Sequence, residues 1–131
     1  MFKLSKRSLD RLDGVDERLA AVVAAAIHIS RVDFGVICGM RTLEEQRELV
    51  EKGASQTMKS KHLVGHAVDL MAYCGSRASW ELNLYDDIAD AVAEAAREVD
   101  VPIVWGAAWT VPNIAQYSEG TMEDAMNSYI D

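Results

Sequence analysis

Residues 67–72, Ala-Val-Asp-Leu-Met-Ala, set one carboxylate inside an otherwise apolar run. An ionised aspartate in such a segment is costly unless something positive meets it. The question for any fold built on this stretch is whether a metal, an arginine or nothing special meets Asp69. Two histidines stand just upstream, so that His62, His66 and Asp69 fall within eight residues, with Gly65 among them. Residues 66–72 read as a strand. Its alternation predicts Ala67, Asp69 and Met71 on one face and His66, Val68 and Leu70 on the other.

The rest of the chain alternates helix and strand signals. Val15, Leu19, Val22, Val23, Ala26 and Ile27 recur at helical spacing and predict a helix over 15–29. A short helical turn capped by Ser5 or Ser8 precedes it. His28 falls near the end of the 15–29 helix, where a cation suits the dipole, and reads as structural or exposed. Residues 33–39 read as a buried strand closed by Gly39, with Cys38 as a small core residue. A helix follows, started by a Thr42/Glu45 capping box and ended by Gly53, so Arg41 stands at a strand-to-helix junction that faces a cleft. Residues 54–65 read as a loop, as does the stretch holding Gly75 and Trp80. Asn83 is the expected cap of a helix over 84–99 that buries Leu84, Ile88, Ala91, Val92, Ala95 and Val99. Residues 101–106 read as a strand entered through Pro102. Thr121 is the expected cap of a last helix with Met122, Ala125, Met126, Tyr129 and Ile130 on one face. That pattern still runs at Asp131. Without a regular βαβ rhythm, the expected class is α+β: one domain over 1–131, with a small, mostly antiparallel sheet flanked by helices.

Composition removes several functions. A net charge of −8 argues against a nucleic-acid backbone binder, which needs a basic footprint, and against an anionic membrane surface. No run approaches the ~18 apolar residues of a membrane span, so no membrane insertion is expected. Residues 1–14 lack the apolar core of a secretory signal, so the expected place of synthesis is the cytoplasm. Two cysteines, Cys38 and Cys74, make no framework and are expected as reduced thiols.

Three chemistries are open to His62, His66 and Asp69. A helical H-x-x-x-H metal site lacks its glutamate, because Leu63 follows His62, and Gly65 argues against the helix. A Ser60/His62 nucleophile pair has no visible elbow to expose the serine. A zinc site using His62 and Asp69 would explain the carboxylate, since zinc accepts imidazole nitrogen and carboxylate oxygen at about 2.0–2.2 Å. A plain ion pair between Asp69 and Arg41 explains it as well. Spacing leaves these open.

The segment Ser60-Lys61-His62-Leu63-Val64-Gly65-His66-Ala67-Val68-Asp69 matches the pattern S-x-H-x-x-G-x-A-x-D. It resembles the signature of the zinc peptidases that include D-alanyl-D-alanine carboxypeptidases and dipeptidases and the L-alanyl-D-glutamate endopeptidases of bacteriophage lysis. Residues 5–19, 39–63, 101–109 and 120–130 resemble the phage endolysin branch in the same order. The resemblance implies an α+β domain with a zinc cleft on the sheet and His62 and Asp69 as metal ligands. It implies Arg41 as the catalytic cation at the scissile carbonyl, with Arg41, Gln46 and Ser60 as substrate-binding residues and His66 outside the ligand set. The implied substrate is the peptide stem of peptidoglycan, cut between L-Ala and D-Glu after a holin releases the enzyme from the host cytoplasm.

The resemblance also calls for a third ligand, a histidine close to the C-terminus with an acidic general base just upstream. The histidines of this sequence are 28, 62 and 66. The expectation is therefore a peptidase domain lacking its C-terminal segment, without the third zinc ligand and poorly active, with self-association through apolar surface left uncovered. The alternatives are a peptidoglycan-binding remnant without catalysis, an enzyme completed by a partner chain, and a D-Ala-D-Ala carboxypeptidase.

Overall fold

A computed structural model describes residues 2–55, 57–106, 113–116 and 122–123. Its elements are α1 (Lys6–Arg11), α2 (Glu17–Ile29), β1 (Asp33–Cys38), α3 (Leu43–Glu51), a 3-10 turn (Lys61–Val64), β2 (Asp69–Cys74), β3 (Arg77–Ser79), α4 (Leu82–Val99) and a second 3-10 turn (Ile114–Gln116). The strands form one antiparallel sheet in the order β1-β2-β3. The class is the α+β architecture expected, and no described helix is long and apolar enough to cross a membrane.

The core lies between the sheet and the helix pair α2 and α4. Val22, Val23, Ala26 and Ile27 of α2 meet Phe34 and Val36 of β1, Ala72 of β2, and Ile88, Ala91, Ala95 and Ala96 of α4. Small residues at the α2–α4 contact let the helices approach closely, and Ala26, Ala95 and Ala96 are fully enclosed. Tyr85 of α4 ties the helix to the sheet. Its hydroxyl accepts from the Ala72 N–H at 3.2 Å and donates to the Ser79 carbonyl at 2.8 Å.

Helix α1 protects the free edge of β1. Ser8 Oγ accepts from the Val36 N–H at 2.9 Å, and Arg11 donates to the Val36 carbonyl at 3.0 Å. Both groups would otherwise offer themselves to another strand. Ser5 is the N-cap of α1, and Asp16 caps α2.

Several elements depart from the sequence expectation. Helix α2 starts at Glu17 rather than Val15, because the Asp16 carboxylate takes the Arg18 and Leu19 N–H groups and fixes the first turn there. Strand β2 starts at Asp69 rather than His66, because the left-handed Gly65 and the turn before it keep 66–68 out of the ladder. The stretch around Gly75 is a hairpin, with β3 pairing back on β2. Helix α4 starts at Leu82, which puts Asn83 inside its first turn, and Glu81 supplies no side-chain cap. Val99, expected in the buried stripe, is 45% exposed. Residues 101–105 carry no strand. Pro102 has no N–H, and Asn113 Oδ1 accepts from Ile103 N at 3.2 Å and Ala115 N at 3.0 Å, replacing a ladder with a side-chain bridge. Trp105 packs with Ile114 and Met122. Thr121 and residues 124–131 of the expected last helix lie outside the described residues.

One buried carboxylate works against the fold. Asp86 of α4 is 6% exposed, and its Oδ1 has no hydrogen-bond partner among the described residues. Burial first, then the charges of Glu123, Asp90 and Asp87, raise its pKa above the usual carboxylate value. A carboxyl group with a raised folded pKa favours the fold while protonated, and that contribution is lost as pH rises through the folded pKa. We expect Asp86→Asn to stabilise the protein at pH 7, because it removes the charge that burial and the neighbouring carboxylates oppose while keeping the shape. The gain should shrink as pH falls toward the unfolded Asp value of about 4. Denaturant titrations of both proteins at several pH values check this.

Candidate metal centre

The site grows from the end of β1. The β1–β2 register slips between Val36 and Cys38, and the slip brings Cys38 opposite Asp69. Such a bulge re-aims the side chains beyond it. Gly39 follows because nothing larger fits: a Cβ there would lie 2.1 Å from the Arg11 carbonyl oxygen. The chain then enters α3 through a complete capping box. Thr42 Oγ1 accepts from the Glu45 N–H, and the Glu45 carboxylate accepts from the Thr42 N–H, both at 3.1 Å. The Thr42 backbone N–H first, then the Thr42 side chain, hold the Glu45 carboxyl below its usual pKa.

Helix α3 turns Gln46 fully inward. Its amide donates to Ser55 Oγ at 2.8 Å and the Thr57 carbonyl at 2.6 Å, and its Oε1 accepts from Arg41 at 2.8 Å. The loop 54–59 is thereby folded under α3, and the Arg41 side chain is aimed. The 3-10 turn Lys61–Val64 comes next, capped by Ser60, whose Oγ accepts from His62 N at 3.2 Å. Arg41 N donates to the His62 carbonyl at 2.9 Å and joins the two halves of the site. Gly65 closes the turn at φ +73°, and its carbonyl accepts from Asp16 N at 2.8 Å.

His62 is 8% exposed, and its Nδ1 stands 2.8 Å from the Gly39 carbonyl. A carbonyl only accepts, so Nδ1 carries the proton in the neutral ring and Nε2 keeps a free lone pair. That Nε2 lies 3.5 Å from Asp69 Oδ2. The second Arg41 nitrogen lies 3.6 Å from the same oxygen and 3.4 Å from Cys38 Sγ. Cys38, His62 and Asp69 bring one donor atom each to within 4.8 Å of one another. A ring nitrogen fixed by a backbone carbonyl beside a carboxylate is the usual preparation of a metal-binding histidine, so the donors fit zinc.

Arg41, Gln46, Ser60, His62 and Asp69, the five residues singled out in the sequence, therefore converge. Two expectations change. The Asp69 side chain is 51% exposed, so its carboxylate sits at the mouth of the site rather than buried in a strand. Cys38 is not a core residue: it is half-buried beside His62, with Sγ 3.7 Å from Nδ1. Simple alternation would have put it in the core with Phe34 and Val36. The bulge defeats that reading, and its nearness to Gly39 and Arg41 was the available signal. His28 is exposed at the end of α2. His66 is exposed and faces Asp16 at 4.0 Å, away from the metal donors.

A family model described as phage L-alanyl-D-glutamate peptidase matches residues 1–127. The chain belongs to this family. The L-alanyl-D-glutamate peptidase of Escherichia phage T5 is 30% identical over 112 residues, covering 82% of each chain. That of Listeria phage A118 is 38% identical over 71 residues, 54% of this chain and 24% of that longer one. The crystal structure of the Serratia marcescens L-Ala D-Glu endopeptidase ChiX superposes with a TM-score of 0.78 at 42% identity, covering 86% of this chain and 85% of that one.

Gly65 is the peptidase fold's anchor for the His62 turn. A Cβ there would meet the Gly14 carbonyl at 2.4 Å, and its positive φ strains any L side chain. We expect Gly65→Ala to cost about 2–4 kcal/mol, from the clash and the left-handed backbone together. The denaturant midpoint of the purified variant measures it.

Proposed function

We propose that this protein is a zinc-dependent peptidoglycan endopeptidase that hydrolyses the L-Ala–D-Glu bond of the cell-wall stem peptide. The observation that carries the reading is the His62–Asp69 pair. A free imidazole lone pair and a carboxylate face each other at 3.5 Å beside a guanidinium, in a member of a family named for this cleavage. Zinc held by His62 and Asp69 would supply a water of pKa near 7 and polarise the peptide carbonyl.

The protein's own residues do the rest. Gly39 and His62 fix the ring through one hydrogen bond, so the ligand enters the site already oriented. Gln46 and Ser60 hold Arg41, which presents positive charge where negative charge gathers on the scissile carbonyl oxygen. Gln46 itself is fully buried and engaged, so it serves the substrate through Arg41. Ser60 lies 3.5 Å from Arg41 and is only partly buried, which leaves its hydroxyl for the stem peptide. The site opens outward at Asp69, as a polymeric wall substrate requires. The place of action is the cell wall, reached from the host cytoplasm through holin-opened membrane.

Neither His28 nor His66 reaches the site, and this favours a second reading. In this reading the cleft binds stem peptide through Arg41 without hydrolysing it. Turnover on a defined muropeptide, with the cut bond identified by mass spectrometry, decides among these. New L-Ala carboxyl and D-Glu amino ends support the endopeptidase. Release of D-Ala points to a carboxypeptidase, and retention on purified sacculi without new ends points to the binding module. In an active preparation, Arg41→Lys should lower kcat/KM about 100-fold, the scale of one lost oxyanion donor. His62→Ala should abolish zinc retention after dialysis, read by elemental analysis.

A further inference from the structure

The structure assigns a third metal donor to this chain, the thiolate of Cys38, which completes a Cys38–His62–Asp69 set; the assignment rests on the zinc reading above. Four observations converge on it. The β1–β2 register makes Cys38 the cross-strand neighbour of Asp69, and the bulge before it turns the residue out of the core sequence of β1. The sulfur, the imidazole and the carboxylate each bring a donor atom within 4.8 Å of the others. Donor pairs around one tetrahedral zinc, with Zn–S of about 2.3 Å and Zn–N or Zn–O of about 2.0–2.1 Å, are roughly 3.3–3.6 Å apart. The His62–Asp69 pair already stands at 3.5 Å, and Cys38 Sγ, 3.7 Å from the other ring nitrogen, would move toward that pair to close the set.

The surroundings also suit a thiolate. Arg41 points an N–H at Sγ from 3.4 Å, so the sulfur is placed to accept. The thiolate is the form of cysteine that binds metal. A thiolate and a carboxylate together balance the charge of a dication, and an S, N, O donor set leaves a fourth position open. Binding releases one proton, from the Cys38 thiol to solvent, and requires no oxidant or further reactant. Cys74 is also a free thiol, but it is exposed at the far end of β2 and serves as the internal control.

The experiment uses the full chain, reduced and stripped of metal, titrated with cobalt(II) and then zinc. Thiolate coordination gives an intense near-ultraviolet sulfur-to-cobalt band, which imidazole and carboxylate ligands lack. We expect that band in the wild type and in Cys74→Ser, at about one equivalent of cobalt, and its loss in Cys38→Ser with zinc affinity at least about tenfold weaker. Zinc should also shield Cys38, but not Cys74, from iodoacetamide, read by peptide mass spectrometry. This second readout needs no variant, so a Cys38→Ser protein that fails to fold leaves the test intact. Stoichiometric zinc with no thiolate band, and with Cys38 alkylated equally with and without metal, would overturn the Cys38 assignment and leave His62 and Asp69 standing. No cobalt or zinc bound at all would overturn the zinc reading and this assignment with it.

Discussion

The site depends on one guanidinium. Arg41 reaches Gln46 from α3, Ser60 from the loop, Cys38 from β1 and Asp69 from β2, and its backbone N–H holds the His62 turn. Four separate segments are thus referred to one planar, permanently charged group, which a lysine could not serve in the same way. Its position follows from local rules. Gly39 ends β1 where no side chain fits, and the Thr42 box starts α3 at a fixed residue, leaving Arg41 in the short gap between.

Arg41 also bears on the puzzle of Asp69. The pair stands at 3.6 Å with the carboxylate half in solvent, and exposed pairs of this kind contribute only ~0–1 kcal/mol. Stability alone is therefore a weak reason for an aspartate here. The same exposure leaves a carboxylate oxygen free to meet an incoming dication, with His62 beside it. The ion pair and the proposed metal site are then compatible: Arg41 holds the carboxylate at 3.6 Å and would leave its charge near a substrate if a metal took the carboxylate.

Much of this was legible in the sequence where a rule acts over a few residues. The capping box over Thr42–Glu45, the left-handed Gly53 and the amphipathic stripe of α2 are short-range effects, and the structure carries them as expected. The convergence of Arg41, Gln46, Ser60, His62 and Asp69 came through family resemblance, because spacing alone could not separate a metal ligand from an ion-paired aspartate. What the sequence hid was long-range. The bulge that takes Cys38 out of the core depends on how β1 registers against β2, which no local pattern encodes. The failure of 101–105 to form a strand depends on the Asn113 side chain ten residues on. The exposure of Asp69 likewise reflects its place at the first residue of β2, two positions from the buried Met71 and three from Ala72, rather than its apolar neighbours in sequence.

The division of labour between rigid and adaptable parts follows from the same contacts. His62 is held by its ring, by its backbone on both sides and by Gly65 wedged against the α1–α2 connection, so its freedom is small. Asp69 and Cys38 are cross-strand neighbours at the irregular end of a short ladder, where fewer backbone bonds constrain them. His62 is thus the preset member of the proposed donor set, and Asp69 and Cys38 are the members that would adjust to a bound metal. The apolar core beneath, from Phe34 and Val36 to Ala72 and α2, does not have to move. The rim of the site is joined to the interior through Gly39, the Val36 contacts to α1, the β1–β2 ladder and the Asp16–Gly65 hydrogen bond.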